Sequence, residues 1–455
     1  MRDGRRNRGG SRGAFGAGTP SRSRARRRGL SALALLAAAG LLAGACSSSG
    51  SKPSAATTGT GTATTSPTPT ATTPTTSPTT GTTSPATPTT PTTTPTTPHT
   101  TPTATTPAVP PATTTPGAPS NLTLQQQAGQ RVIYSYQGLT PPQHLLDLIR
   151  QGRAAGVIFF GGNISSRSQI AGVITQLRQA QAQSPVHLPL LLMTDQEGGI
   201  VKRLPGPPDV SAKQIGQSAD PVGAATSAGA AAGGNLAGVG MNLNLAPVLD
   251  VSRTPGDFID ATQRSFGENP NQVAKLGAAF ISAQQNTGVA ATAKHFPGLG
   301  SAPAGSNTDL RPVTLTVSLD NLRNVDEFPY GAAINSGVKL VMLSWAVYTS
   351  LDANHPAGMS STIVQQELRG RVGFKGVTIT DALEAGALQA YGGAGNRAFS
   401  AAAAGMDLLL CSSGDPAQGD AAAQALVDAV NSGKLSRSGF DAALGRVNAL
   451  RGGLK

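Results

Sequence analysis

The chain has little of what several protein classes require. Its 455 residues include two cysteines, Cys46 and Cys411, one tryptophan, Trp345, and five histidines, and aromatic residues make up only 4%. Two cysteines allow one disulfide at most, and none if either is modified, so a folded part must be stable from its core alone. The histidines stand at 99, 144, 187, 295 and 355, and no Cys/His ligand spacing accompanies them, so no metal set is indicated. There is no Gly-rich phosphate loop and no Gly-x-Ser-x-Gly elbow, and nothing in the sequence implies a cofactor. The apolar run at residues 30–45 is shorter than the roughly 20 residues of a membrane-spanning helix.

Positive charge is plentiful but uneven. The formal net charge is +12, and the first 45 residues hold ten arginines against one acid, Asp3. The remainder is close to balance and carries no basic stripe, so nucleic acid is not an indicated partner. Arg-rich residues 1–28, an apolar stretch at 30–45 and small residues at its end make the three regions of a secretory signal. Ala43-Gly44-Ala45-Cys46 then resembles a bacterial lipobox, with Ala43 where leucine is usual. Cys46 would be the lipidated first residue of an exported chain, held to the cell membrane by that anchor only. Arg27-Arg28 also permits twin-arginine export.

Residues 53–119 are almost entirely Thr, Pro, Ala, Ser and Gly, with no apolar side chain larger than that of Val109. Such a tract buries too little surface to offset its ordering entropy. Extended at about 3.1 Å per residue, it would reach roughly 200 Å. The expected organisation is a signal peptide at 1–45, a lipidated cysteine and disordered Thr/Pro-rich linker at 46–119, and a folded domain at 120–455.

From Leu122 the pattern alternates. Short apolar or β-branched runs predict strands at 131–136, 156–160, 188–194, 241–250, 289–295, 339–345, 376–381 and 406–411. Amphipathic or Ala-rich stretches such as 142–152, 168–183, 272–287, 321–336 and 395–404 predict helices between them. About eight strand-helix units suggest an α/β fold, a single (β/α)8 TIM-type barrel; a doubly wound open sheet shares the periodicity.

Polar residues gather where several of these strands end. Thr194-Asp195-Gln196-Glu197-Gly198-Gly199 follows the third; Asp250, Arg253 and then Arg264-Ser265-Phe266-Gly267 follow the fourth. The fifth ends in Lys294-His295, before the breakers Pro297, Gly298 and Gly300, and the seventh in Thr380-Asp381. Strand ends on one face of a barrel converge, so distant residues can form one site. Carboxylates with a lysine, a histidine and an arginine suit glycosyl transfer to water.

These motifs, with Val201, Arg203, residues 244–250, Arg369 and Gly373-Phe374-Lys375-Gly376, run in order across nearly all of residues 122–452. Together they resemble glycoside hydrolase family 3, and within it the single-domain bacterial β-N-acetylglucosaminidases. The resemblance implies a retaining, exo-acting β-glycosidase with Asp381 as nucleophile and Asp195, Arg264, Lys294 and His295 gripping the sugar. It implies a carbohydrate substrate, N-acetylglucosamine ending a cell-wall peptidoglycan fragment. The same fold could serve another sugar, a phosphate acceptor, or glycan binding without turnover. One stretch departs from the family: Gly298-Leu299-Gly300 stands where Gly-His-Gly is usual, and Asn307-Thr308-Asp309 where an Asp-Ser-His triplet supplies the acid/base. Asp309 is then the expected proton donor, if burial or Asp381 raises its pKa; otherwise the segment is a polar turn. Glu197 is expected to brace the Gly198-Gly199 turn and Glu384 to start the next helix. Trp345 could stack on a sugar or pack in the barrel, and Cys411 belongs in the core.

Overall fold

The computed structural model describes residues 122–454. The expected signal peptide, Cys46 and tether lie outside the described residues. Eight parallel strands form the central sheet: β1 Val132–Tyr134, β2 Gly156–Ile158, β3 Leu191–Thr194, β4 Leu243–Asn244, β5 Ala290–Phe296, β6 Leu340–Leu343, β7 Val377–Thr380 and β8 Leu409–Leu410. Each pairs with its sequence neighbour, and β1 also pairs with β8. A parallel bridge between Ile379 and Leu408 closes the ring. The open-sheet alternative is thereby excluded, and the (β/α)8 barrel is the observed architecture.

The runs read as strands because both of their faces are buried, as in any parallel sheet covered by helices. Alternate residues divide between two apolar layers. Ile133, Ile158, Leu191, Met193, Leu243, Leu340, Met342, Ile379 and Leu410 fill the interior, which Val447 and Leu450 of the C-terminal helix Arg437–Gly452 join. Their neighbours Val132, Tyr134, Val157, Leu192 and Val341 face the surrounding helices. Those helices start on side-chain caps where the sequence places them: Ser166 accepts from the Gln169 amide, and Asp220 and Asn269 each precede a proline at the first helical turn. The helices Pro221–Ala237 and Pro270–Gln285 approach so closely at Gly229 that a Cβ there would lie 2.3 Å from the Phe280 carbonyl oxygen.

The expected strand at 241–250 shrinks to Leu243–Asn244. Pro247 lacks the N–H a ladder needs, and beyond it the chain serves the site instead. By contrast β5, fully buried along its length, runs on to Phe296 and carries Lys294 and His295 to the C-terminal end of the barrel. Two small sheets sit on the same connections. A hairpin, Gln196–Gly198 with Val201–Lys202, follows β3, and Thr314–Leu315, Val347–Tyr348 and Asp352–Pro356 form a three-stranded sheet from the β5 and β6 connections.

Candidate active site

A cavity of about 330 Å³ opens among the C-terminal strand ends. Asp195, Arg264, Lys294, His295, Asp309 and Asp381 all line it. Its floor is apolar: Ile158, Leu245, Met342 and Leu410 rise from the barrel interior, with Phe160, Phe258 and Leu299 on the walls.

One wall is a charged lattice built on β3 and β5. The Lys294 ammonium lies 2.7 Å from Asp195 Oδ1 and 2.7 Å from Glu197 Oε1. Arg264 clamps Glu197 through two parallel bonds, Nε to Oε2 and Nη2 to Oε1, each 2.8 Å. Burial opposes the charges of Glu197, Arg264 and Lys294, but Arg264 and Lys294 hold the Glu197 carboxyl well below the usual range. Burial likewise lowers Lys294, and Asp195 and Glu197 outweigh it, leaving the ammonium above its ordinary value. Glu197 therefore does not brace the Gly198-Gly199 turn as expected; it is the hub that orients Arg264 and Lys294. Gln196 braces the hairpin instead, donating to the Leu204 and Pro207 carbonyls from a fully buried position.

His295 is fixed differently. Its Nδ1 lies 2.8 Å from Oδ2 of the fully buried Asp250, whose Oδ1 accepts from the His295 and Leu299 amides at 3.1 and 2.8 Å. A carboxylate can only accept, so Nδ1 carries the proton and Nε2 is left for the cavity. Burial pushes the Asp250 carboxyl up, while the facing imidazole and the two amides bring it below the usual range. The Lys294–His295 peptide is cis.

The three remaining carboxylates of the cavity are Asp381, Asp309 and Glu384. Asp381 follows β7, and its Oδ1 accepts from the Ala382 amide at 2.8 Å. The segment after it is anchored: Leu383 donates to Leu410 O at 3.0 Å, and Trp345 Nε1 to Ala382 O at 2.8 Å. Trp345 is buried, with Gly358 packed against its ring, so it supports this turn from beneath and does not reach a sugar. Asp309 sits in an Asx turn, its amide 2.8 Å from Asn307 Oδ1, and opens to the cavity mouth. Partial burial first, and then the negative charge of Asp381, raise its carboxyl to about 6. Glu384 stands two residues before the next helix, the short 3-10 helix Gly386–Tyr391 whose N-cap is Ala385; it lines the cavity and accepts from Ser412 Oγ at 2.6 Å and Gln418 Nε2 at 3.0 Å.

Sequence reasoning missed three members of this constellation. Glu197 and Asp250 were visible as carboxylates at strand ends, but not their partners. Arg203, in the motif after β3, also lines the cavity, and its buried Nε has no partner among the described residues. Cys411 is fully buried core, as expected. Among the described residues no group of three or more His, Cys, Asp or Glu is placed to hold a metal ion, and no helix is long and apolar enough to cross a membrane.

Known proteins resemble this chain in sequence and fold. Residues 123–450 match the glycosyl hydrolase family 3 N-terminal domain. An uncharacterized secreted glycosyl hydrolase of Arthroderma benhamiae is 47% identical over 332 residues, covering 72% of this chain and 94% of the relative. A beta-hexosaminidase of Tolumonas auensis is 33% identical, covering 64% and 84%. Among solved structures, a family 3 β-N-acetylglucosaminidase from Paenibacillus sp. str. FPU-7 superimposes with a TM-score of 0.69 at 35% identity over 73% of this chain, which spans 62% of that longer one.

Proposed function

The chain belongs to glycosyl hydrolase family 3 and is a glycoside hydrolase acting on O-glycosyl bonds, and we propose that it is a retaining, exo-acting β-N-acetylhexosaminidase. The observation that carries this reading is one cavity with two unlike walls. Asp195, Lys294, Arg264 and His295 form a preorganised hydrogen-bonding wall, and facing them are Asp381 and Asp309, a carboxylate at a strand end and a carboxyl raised to about 6.

The chemistry follows from that division. Asp195 accepts from sugar hydroxyls while Lys294, Arg203 and His295 Nε2 address the ring oxygens, which fixes the anomeric carbon against Asp381. The Asp381 carboxylate attacks that carbon as Asp309 gives its proton to the glycosidic oxygen; the C–O bond to the leaving group breaks and a glycosyl ester forms. Asp309, now ionised, takes a proton from water, whose oxygen attacks the same carbon and releases Asp381 with net retention. Glu384 is no donor, since Ser412 and Gln418 already address its oxygens as acceptors. A cavity of about 330 Å³ floored by barrel side chains holds one terminal sugar, hence exo action. The beta-hexosaminidase and N-acetylglucosaminidase relatives support N-acetylglucosamine as that sugar. Export and a lipid on Cys46 would set the enzyme against peptidoglycan fragments, and a relative described as secreted supports export. Replacing Cys46 by Ala should move the protein from the membrane fraction to the medium; unchanged membrane retention would remove the anchor.

The reading is tested on the full-length protein with aryl β-N-acetylglucosaminides and aryl β-glucosides. Preferential release from the N-acetylglucosaminides, with the β-anomer as first product, is expected. Preference for glucosides would change the sugar, faster release in phosphate would change the acceptor, and binding of N-acetylglucosamine without turnover would reduce the protein to a glycan receptor.

A further inference from the structure

The two carboxylates opposite the sugar grip belong to different connections, yet the backbone joins them directly. Gly386 N donates to Asp309 O at 2.8 Å and Ala387 N to Thr308 O at 3.0 Å. Residues 381–388 are a firm base for these bonds: beyond the Trp345 and Leu410 contacts, Arg397 Nη1 donates to Leu383 O at 2.9 Å, and Gly386, Ala387 and Leu388 are buried. Close approach makes the join possible. A Cβ on Gly386 would lie 2.3 Å from Leu310 O, 2.4 Å from Leu310 C and 3.0 Å from Asp309 O. These are backbone atoms, which cannot turn aside as a side-chain end can. Gly386 does not have the positive φ that would itself demand glycine. Space, and not conformation, is what excludes a side chain there.

From this geometry we infer that Gly386 is a positioning residue: by lacking a side chain it lets the segment bearing Asp309 dock, through two backbone hydrogen bonds, on the segment that follows Asp381. The docking sets the spacing between proton donor and nucleophile, which a retaining mechanism needs short and constant. It also holds Asp309 where the charge of Asp381 reaches it. This inference rests on the reading of Asp309 as acid/base. A methyl group at 386 displaces the 309–310 backbone outward and leaves Asp381, Lys294, His295 and Arg264 where they are. Proton donation should therefore suffer while sugar binding and nucleophilic attack persist.

The test compares wild type, Gly386→Ala and Asp309→Asn as full-length proteins on aryl β-N-acetylglucosaminides whose leaving groups span a wide range of acidity. General acid catalysis supplies about 10²–10⁴-fold when the leaving group is poor and little when it is good. Gly386→Ala is expected to lower kcat/KM by roughly 10–100-fold on the poorest leaving group and less than about threefold on the best, with KM little changed. Azide, which needs no base to attack the glycosyl ester, should restore part of its turnover. An equal loss on all leaving groups, or none, overturns the positioning role while a steep dependence in Asp309→Asn leaves the acid reading standing. A flat profile in Asp309→Asn overturns both. If Gly386→Ala does not fold, amide hydrogen exchange on wild type decides: protection at Gly386 and Ala387 comparable to that of β7 is expected, and exchange at the rate of a free loop overturns the docking.

Discussion

The two ends of the barrel differ in how fully their carboxylates are bonded within the protein. At the N-terminal end, Asp407 is fully buried and matched: Arg369 Nη2 and Arg446 Nη2 approach it at 2.7 and 2.8 Å, and the Thr378 amide at 2.8 Å. The buried Arg131 and Arg451 donate to Met406 O at 2.6 Å and Pro189 O at 2.7 Å, with Arg131 Nη1 left without a partner among the described residues. At the C-terminal end the grip is matched in the same manner, but Asp381 accepts only from its neighbour's amide, and Asp309 accepts nothing from the described residues. A charge whose bonds are all made within the protein holds the fold together. One whose lone pairs are left open can bond to something that arrives.

Mutations should break the comparison along that line. The largest effect is expected of Asp381→Asn, which removes the proposed nucleophile: kcat/KM should fall on the order of 10⁴-fold for good and poor leaving groups alike, with thermal unfolding unchanged. Asp407→Ala should do the reverse. Leaving Arg369 and Arg446 without their buried partner should cost about 3–5 kcal/mol in chemical denaturation, while the folded fraction retains wild-type kcat/KM. Next comes pH. Asp309 must be protonated to donate, so kcat/KM on a poor leaving group should decline above its pKa of about 6, roughly tenfold per pH unit, and this limb should vanish in Asp309→Asn. Smallest is Trp345→Phe, which deletes the bond to Ala382 O: about 1 kcal/mol of stability and a few-fold in kcat.

Most of the barrel was legible because its strands are buried on both faces and so appear as apolar runs. The cluster of charges at their ends pointed to the site for the same reason, since one face gathers all eight ends. What the sequence could not display is pairing. Nothing local says that Arg264 folds over Glu197, or that Asp250 orients His295, because each partner arrives on a different connection. Gly386 was invisible for a related reason: a glycine in a short loop reads as a turn, and its need for space exists only once Leu310 lies against it. Leu299 was noted for the histidine it replaces. In the structure it is buried, donates its amide to Asp250 and lines the cavity.

The division between matched and open carboxylates is tested most directly by trapping the covalent intermediate. A β-N-acetylglucosaminyl fluoride carrying a second ring fluorine should form the glycosyl ester faster than water can cleave it, because ring fluorination slows both steps and fluoride departs without an acid. Mass spectrometry of the protein after brief exposure is expected to show one added sugar, localised by digestion to Asp381. Absence of an adduct during turnover, or an adduct on Asp309, Glu384 or any other residue, would contradict the account.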